Sequence, residues 1–504
     1  MGRHGQRRVI VNKVCAKQQP LVVYDDRTGI PDAQDCACAA DGLGPVALHS
    51  GPAAGDTDCA CVPAAEEAPA HTAALHGRWR LAPGLYTQPL TRDYQAVFNP
   101  GRPAGVAVLN AAARDLLQTF QEPRLLSDCT SHTLAALGVL VPHDAQQNAG
   151  CPPDHASTVT AWLHVTNACD LGCAYCYVHK DGSAMDAATG RAAVDAVFRS
   201  AAQHGFRAVK LKYAGGEPTL NFSLIRLLHA EAHTQAERKG LVLRETLISN
   251  GVRLPDDVLA FVAETGMHLS VSLDFCSDAH NRQRARRDGY GAYEQVRRNV
   301  ERAGQYGIRP HLSITVTGAE DERSPDAVQL ALDMGLPFNL NFVRPADGWP
   351  ADDVVAGVIR SVRLAFAAIE SKPPAHSLLA VLDRADFSQA HRRSCGAGRT
   401  YLVIDHRGRV SPCQMQMHRE VGDIRSPDPL AAVRGSFSNP PVDERCGCAA
   451  CAWRYACGGG CPLMSRPTGP QGEGTSSYCA AYRALYPELI RLEGLRLLKS
   501  RRLC

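Results

Sequence analysis

This sequence is poor in the features that announce many common functions. Aromatic residues make up only 6% of the 504 residues, with four tryptophans, so no run of stacking platforms for nucleic-acid bases is in view. The net charge of +3 supplies no dominant attraction to phosphate backbones or anionic lipids. No apolar run reaches the length of a bilayer-spanning helix. The N-terminus, MGRHGQRRVIVNK, is basic but has neither an apolar h-region nor a small-residue cleavage site, which points to a cytoplasmic protein. What the chain has in excess is cysteine, 20 in all. In a short secreted chain such a number reads as disulfides. In a long chain without a secretory signal it reads as metal or redox chemistry.

Distribution along the chain sharpens that reading. Three cysteines fall between Cys169 and Cys176, and eight between Cys395 and Cys479. Residues 1–75 are rich in Ala, Gly, Asp and Pro and are expected to be poorly ordered. Their Cys36/Cys38 and Cys59/Cys61 pairs read as idle thiols on a solvated tail. Residues 77–142 open with short alternating segments and continue into two helices, the first capped near Asn110, an order that suits a winged-helix-like module.

From 158 to 345 strand and helix patterns alternate. TAWLHVT, AVKLKYA, RETLISN, HLSVSLD, PHLSITV and FNLNFV are the expected strands. Six β/α units predict an α/β fold with a parallel sheet, a full or partial (β/α)6 TIM-type barrel whose site lies at the C-terminal strand ends. Residues 351–394 read as a helical connector. A loop-rich, cysteine-rich segment spans 395–485, and a closing helix spans 486–504.

Cys169, Cys173 and Cys176 follow directly after the first of these strands, in a C-x3-C-x2-C spacing. Three thiolates on one loop can ligate three irons of a cubane cluster and leave the fourth iron open. Zinc held by these thiols and His164 or His179 is the competing reading. The next strand ends in Gly215-Gly216-Glu217-Pro218, which taken alone is a tight turn.

Together these segments resemble the signatures of the radical S-adenosylmethionine (SAM) superfamily, the Gly-Gly-Glu-Pro stretch included. The resemblance implies that the amino and carboxylate groups of SAM chelate the open iron and that an electron then cleaves the sulfonium and releases a 5′-deoxyadenosyl radical. It also implies SAM contacts from Gly215, Gly216 and Glu217, with the carboxylate receiving the ammonium group. Ser249-Asn250-Gly251 and Ser272-Leu273-Asp274, with His280 and Arg282 beyond, resemble later strand ends of peptide-modifying members. On that basis Asn250, Ser272 and Tyr175 join the expected cofactor-binding residues. Phe275 stands where the family usually has glycine.

The pattern Cys395, Cys413, Cys448, Cys451, Cys457, Cys461 and Cys479 resembles the SPASM domain of peptide- and protein-modifying enzymes. It implies one auxiliary 4Fe–4S cluster on Cys448, Cys451, Cys457 and Cys479, and another on Cys395, Cys413 and Cys461. Cys446 reads as a plain reduced thiol. The module at 77–142 is similar in element order to the leader-peptide-binding domain of ribosomal-peptide maturases.

The resulting expectation is a cytoplasmic radical SAM oxidoreductase that matures a peptide or protein, with or without a leader. It uses SAM, a SAM-binding 4Fe–4S cluster and one or two auxiliary 4Fe–4S clusters. A flavodoxin or ferredoxin supplies electrons, and neither nucleic acid nor membrane takes part. The alternatives are a formylglycine-generating sulfatase maturase and, in another class, a non-catalytic iron–sulfur electron carrier. Gln414 argues against the first, because sulfatase-maturing relatives carry an acid there.

Overall fold

The structure is a computed structural model, and it describes residues 19–25, 77–144, 157–319, 323–345, 348–467 and 473–501. The cysteine pairs Cys36/Cys38 and Cys59/Cys61 lie outside the described residues.

The N-terminal elements are β1 (Val22–Val23), β2 (Trp79–Leu81), β3 (Tyr86–Pro89), β4 (Gln95–Phe98), β5 (Ala107–Leu109), α1 (Ala111–Gln118), α2 (Cys129–Ala136) and β6 (Leu140–Pro142). Both helices start where their caps dictate. Asn110 accepts the Ala113 N–H at 2.9 Å, and Asp128 with Ser131 forms a capping box. Strands β1, β5, β4 and β3 form an antiparallel sheet in that order, and β2 pairs with β6.

Strand β1 corrects the expectation of poor order for residues 19–25. Val22 and Val23 are buried against β5, and Asp25 is 2.6 Å from the buried guanidinium of Arg496. A short apolar strand that completes a sheet edge cannot be recognised from a composition otherwise dominated by Ala, Gly and Asp.

The core alternates as expected: β7 (Thr158–His164), α3 (Ala187–Gln203), β8 (Ala208–Ala214), α4 (Phe222–Lys239), β9 (Val242–Ser249), α5 (Asp256–Thr265), β10 (His268–Asp274), α6 (Ser277–Gln283), α7 (Tyr293–Gln305), β11 (His311–Val316), α8 (Asp326–Met334) and β12 (Phe338–Phe342). All six expected strands are present. They lie side by side in chain order, each parallel to the next. Strands β7 and β8 are buried at every position, as strands covered on both faces must be.

After α9 (Asp352–Ser371) come β13 (Tyr401–Ile404), β14 (Arg409–Ser411), β15 (Gly422–Asp423), α10 (Pro429–Arg434), α11 (Arg454–Cys457), β16 (Ser465–Pro467), β17 (Glu473–Ser476) and α12 (Cys479–Ser500). Strand β13 adds in parallel to β7, and β14 and β15 follow antiparallel. The nine-stranded sheet is therefore open, with β12 and β15 as its edges: a partial barrel.

Two boundaries differ from the sequence reading. The connector is helical only to Ser371, because Pro373 and Pro374 cannot continue a helix. The irregular chain beyond covers the β12 edge, with the Leu340 N–H bonded to the Val381 carbonyl at 2.7 Å. The closing helix starts at Cys479 and carries that cysteine in its first turn. Phe98, Phe387, Trp453 and Tyr486 pack ring to ring, with centroids 5.0–6.3 Å apart, and lock the N-terminal sheet, connector, C-terminal segment and α12 together.

Candidate functional site

The loop after β7 carries Cys169, Cys173 and Cys176 over the C-terminal end of the sheet. It is pinned from β8. The Gly216 and Glu217 N–H groups donate to the Thr166 and Ala168 carbonyls at 2.7 and 2.8 Å. A β-carbon on Gly215 would lie 2.5 Å from the Thr166 carbonyl, and one on Gly216 would lie 2.4 Å from that of Ala168. These glycines are required first by the cysteine loop itself, whose backbone leaves no room for a side chain.

Glu217 is fully buried and ties three strand ends together. Its Oε1 accepts from the Thr219 hydroxyl at 2.7 Å and the Ser249 hydroxyl at 3.0 Å, and its Oε2 accepts the Asn250 N–H at 2.7 Å. Burial pushes this carboxyl up to about 7, against the pull of the Asn250 N–H and the Thr219 hydroxyl. Asn250 Nδ2 donates to Asp170 at 2.7 Å and lies 3.8 Å from Cys169 Sγ, so the β9 end reaches the first cysteine directly. Ser272 sits on β10 opposite Ser313 of β11, apart from this network.

Tyr175, between the second and third cysteines, donates its hydroxyl to Asp274 at 2.5 Å. Arg284 Nε donates to the same oxygen at 2.8 Å, and the guanidinium lies 5.6 Å from the Tyr175 ring centre. Burial opposes the charge of Arg284, but Asp274 and Tyr175 outweigh it and hold the guanidinium more firmly protonated than usual. Sequence spacing singled out Arg282. Helix α6 ends at Gln283, and it is the next residue whose side chain turns back onto Asp274. Phe275 is fully buried, its N–H donating to the Thr315 carbonyl at 3.0 Å, which is how the turn accommodates a residue other than glycine.

Burial pushes Cys169 up to about 11, with the Leu171 N–H and Lys180 pulling the other way. Lys180 also donates to the Leu171 carbonyl at 2.7 Å and braces the loop. Sequence reasoning missed this lysine, four residues past Cys176. His164 Nε2 is engaged by Asn167 Oδ1 at 2.7 Å, and His179 is exposed on the loop. Among the described residues, none of the three cysteines belongs to a set of ligand atoms lying within 4.8 Å of one another, whereas sulfurs around one zinc stand about 3.8 Å apart.

The later cysteines form two groups. Cys395, Cys413 and Cys461 line one cavity of about 220 Å³ together with Tyr175, Tyr177 and the β11–β12 strand ends. Cys448, Cys451, Cys457 and Cys479 line another. Burial raises Cys413 and Cys457 to about 12 each. Arginines offset thiolate charge at both. Arg384 lies beside Cys395 and Cys413, Arg483 beside Cys451 and Cys479, and the fully buried Arg445 bears on both Cys395 and Cys448. Cysteine spacing does not reveal these three. Gly458, Gly459 and Gly460 all have positive φ and fold the chain tightly between Cys457 and Cys461. Cys446 is exposed, as a spare thiol would be.

A 4Fe–4S cluster and SAM fit the first site on this chain's own atoms. Three thiols share one loop, and the buried Oδ2 atoms of Asp170 and Asp274 have no hydrogen-bond partner among the described residues.

Comparison with known proteins agrees. The radical SAM superfamily matches residues 163–331. The S-adenosylmethionine-dependent nucleotide dehydratase of Psychrobacter lutiphocae is 30% identical over 136 residues, 24% of this chain and 42% of its own length. The chain thus spans under half of that relative. The sporulation killing factor maturation protein SkfB of Bacillus subtilis is 20% identical over 295 residues, 56% of this chain and 68% of SkfB. The solved structure of native anSMEcpe with bound AdoMet and Kp18Cys peptide superposes with a TM-score of 0.53 at 16% identity, covering 67% of this chain and 99% of that one. At that identity the likeness speaks for the fold. Among the described residues no helix is long and apolar enough to cross a membrane. The matched residues, 163–331, carry the Cys169–Cys176 loop and the Gly215–Pro218 turn, so the likeness to the radical SAM superfamily falls on the site itself.

Proposed function

We propose that this chain is a SPASM-type radical SAM enzyme that modifies a ribosomally made peptide or protein. The observation that carries the reading is the shared cavity: one space is walled by Tyr175 and Tyr177 of the first cysteine loop and by Cys395, Cys413 and Cys461. A substrate placed there lies between the SAM end of the barrel and an auxiliary centre. The relative SkfB is named a maturation protein, and the solved anSMEcpe structure holds a peptide.

When bound, the SAM-site cluster and SAM supply a 5′-deoxyadenosyl radical that takes hydrogen from the substrate. Cys169, Cys173 and Cys176 hold that cluster. Gly215, Gly216, Glu217, Asn250, Ser272 and Tyr175 shape the SAM side, with Tyr175 acting through Asp274 and Arg284. Cys448, Cys451, Cys457 and Cys479 hold one auxiliary cluster, and Cys395, Cys413 and Cys461 hold a second. Residues 77–142 bind a leader, a flavodoxin or ferredoxin delivers electrons, and the protein works in the cytoplasm.

Formylglycine formation is the weaker reading. Gln414 is buried and accepts the Tyr401 hydroxyl at 2.8 Å, and no carboxylate or imidazole lines the cavity among the described residues. A passive electron carrier gives no reason for the Glu217 network beside an open three-cysteine loop.

The test is anaerobic reconstitution with iron, sulfide and reductant, then SAM and a short peptide encoded beside this gene. We expect 5′-deoxyadenosine together with a changed peptide mass. Deoxyadenosine with every such peptide unchanged would remove the substrate assignment, and conversion of a sulfatase-derived cysteine peptide would favour the second reading.

Glu217→Gln tests the SAM side separately. The amide must turn its NH2 toward a donor, either the Asn250 N–H or the two hydroxyls, and it carries no charge for the ammonium of SAM. Losing a charge-assisted bond of about 1.5–3 kcal/mol should raise the SAM dissociation constant by about one to two orders of magnitude. Iron content should be unchanged. Titration of SAM followed by the EPR signal measures this, and parental affinity would remove Glu217 from SAM binding.

A further inference from the structure

On the outer face of the barrel, away from the cysteine loop, three ligand-type side chains converge. His229 and His233 are one helical turn apart on α4, so both imidazoles project to the same side of that helix. Their ring centres are 4.4 Å apart. Glu245, on β9, reaches between them. Its Oε2 lies 2.6 Å from His229 Nδ1 and 3.3 Å from His233 Nε2. Among the described residues this is the only set of three His, Cys, Asp or Glu ligand atoms that all lie within 4.8 Å of one another.

We propose that His229, His233 and Glu245 form a site for a divalent first-row cation of the zinc type, separate from every iron–sulfur centre. Two imidazoles and a carboxylate are the ligand set such ions take, whereas magnesium and calcium prefer all-oxygen shells. The 3.3 Å between Glu245 Oε2 and His233 Nε2 matches the roughly 3.3 Å expected around a tetrahedral ion with bonds of about 2.0 Å, while the 2.6 Å contact to His229 Nδ1 is a hydrogen bond that an ion would replace by opening it slightly.

Two features of the surroundings match a ligating role. The other carboxylate oxygen, Oε1, accepts the hydroxyl of the fully buried Tyr213 at 2.5 Å, which orients the carboxylate and leaves Oε2 facing the histidines. The His229 ring is held edge-on by Phe261 at 5.2 Å. On the open side the His233 side chain is 52% exposed, so an ion can enter and water can complete its coordination.

The cation would be a clamp. Helix α4 follows the Glu217 loop, and Tyr213 and Glu245 belong to β8 and β9, whose far ends carry Gly215–Glu217 and Ser249–Asn250. An ion bridging α4 to β9 ties the helix to the two strands that present those ends.

The experiment uses the fully reconstituted holoenzyme, in which iron–sulfur clusters occupy the cysteines. It is given one molar equivalent of zinc sulfate anaerobically and desalted, and metals are then counted. The parent should retain about one zinc per chain, with a zinc-edge X-ray absorption spectrum showing nitrogen and oxygen neighbours and no sulfur. Zinc should also raise its unfolding midpoint. His233→Ala, at an exposed position, should weaken zinc binding by at least about tenfold, keep its iron and lose the zinc-dependent midpoint shift. His233→Gln is the second variant should the first lose iron. Equal zinc retention by parent and variant, sulfur in the zinc shell, or no zinc held by the parent would overturn the site.

Discussion

Replacing Cys169, Cys173 and Cys176 together by alanine is expected to abolish 5′-deoxyadenosine formation and to remove one cluster, about four irons per chain. Iron at the later cysteines should remain, because those thiols are carried by other segments of the chain and group apart from the first three. The fold should tolerate the change, since the loop is held by backbone hydrogen bonds from Gly216 and Glu217 that involve no thiol. Iron analysis and chromatographic assay of deoxyadenosine read the two effects separately. Cleavage of SAM at the parental rate by the triple variant would sink the assignment of the first site.

Arg284→Met should have the largest effect on stability of any substitution near that site. It leaves Asp274, which is fully buried, with the Tyr175 hydroxyl but no cation. Removing one partner of such a pair typically costs about 3–5 kcal/mol, because the remaining charge stays desolvated. Cys173 would lose the main charge opposing the burial that raises its thiol, so cluster retention should fall as well. Arg284→Met combined with Asp274→Leu removes both charges and should recover much of the stability. Anaerobic thermal unfolding and iron content report the outcome. A parental unfolding midpoint in the single variant would mean that the buried pair is not structural.

The sequence made the chemistry visible because that chemistry depends on local spacing. Three thiols within eight residues can share a cluster whatever the surrounding fold. Segments such as AVKLKYA become buried parallel strands, with Val209, Leu211 and Tyr213 packed in the hydrophobic core and Lys210 and Lys212 buried on the alternate face. Caps such as Asn110 also act within one turn and were readable in advance. Long-range pairings were not. That Arg284 rather than Arg282 meets Asp274 depends on where α6 stops. Residues 19–25 look like tail until β5 offers an edge and Arg496 a buried charge. His229 and His233 share a helix face by their spacing alone, but only the return of the chain through β9 brings Glu245 to them. By itself, then, the sequence determined the cysteine loops and the order of strands, which are set by neighbours a few residues apart. The tertiary structure alone decided which charges are paired in the interior, and that Tyr175 and Cys395, 220 positions apart, face one cavity. Desolvation and hydrogen bonding act between groups that meet only after the chain has closed on itself.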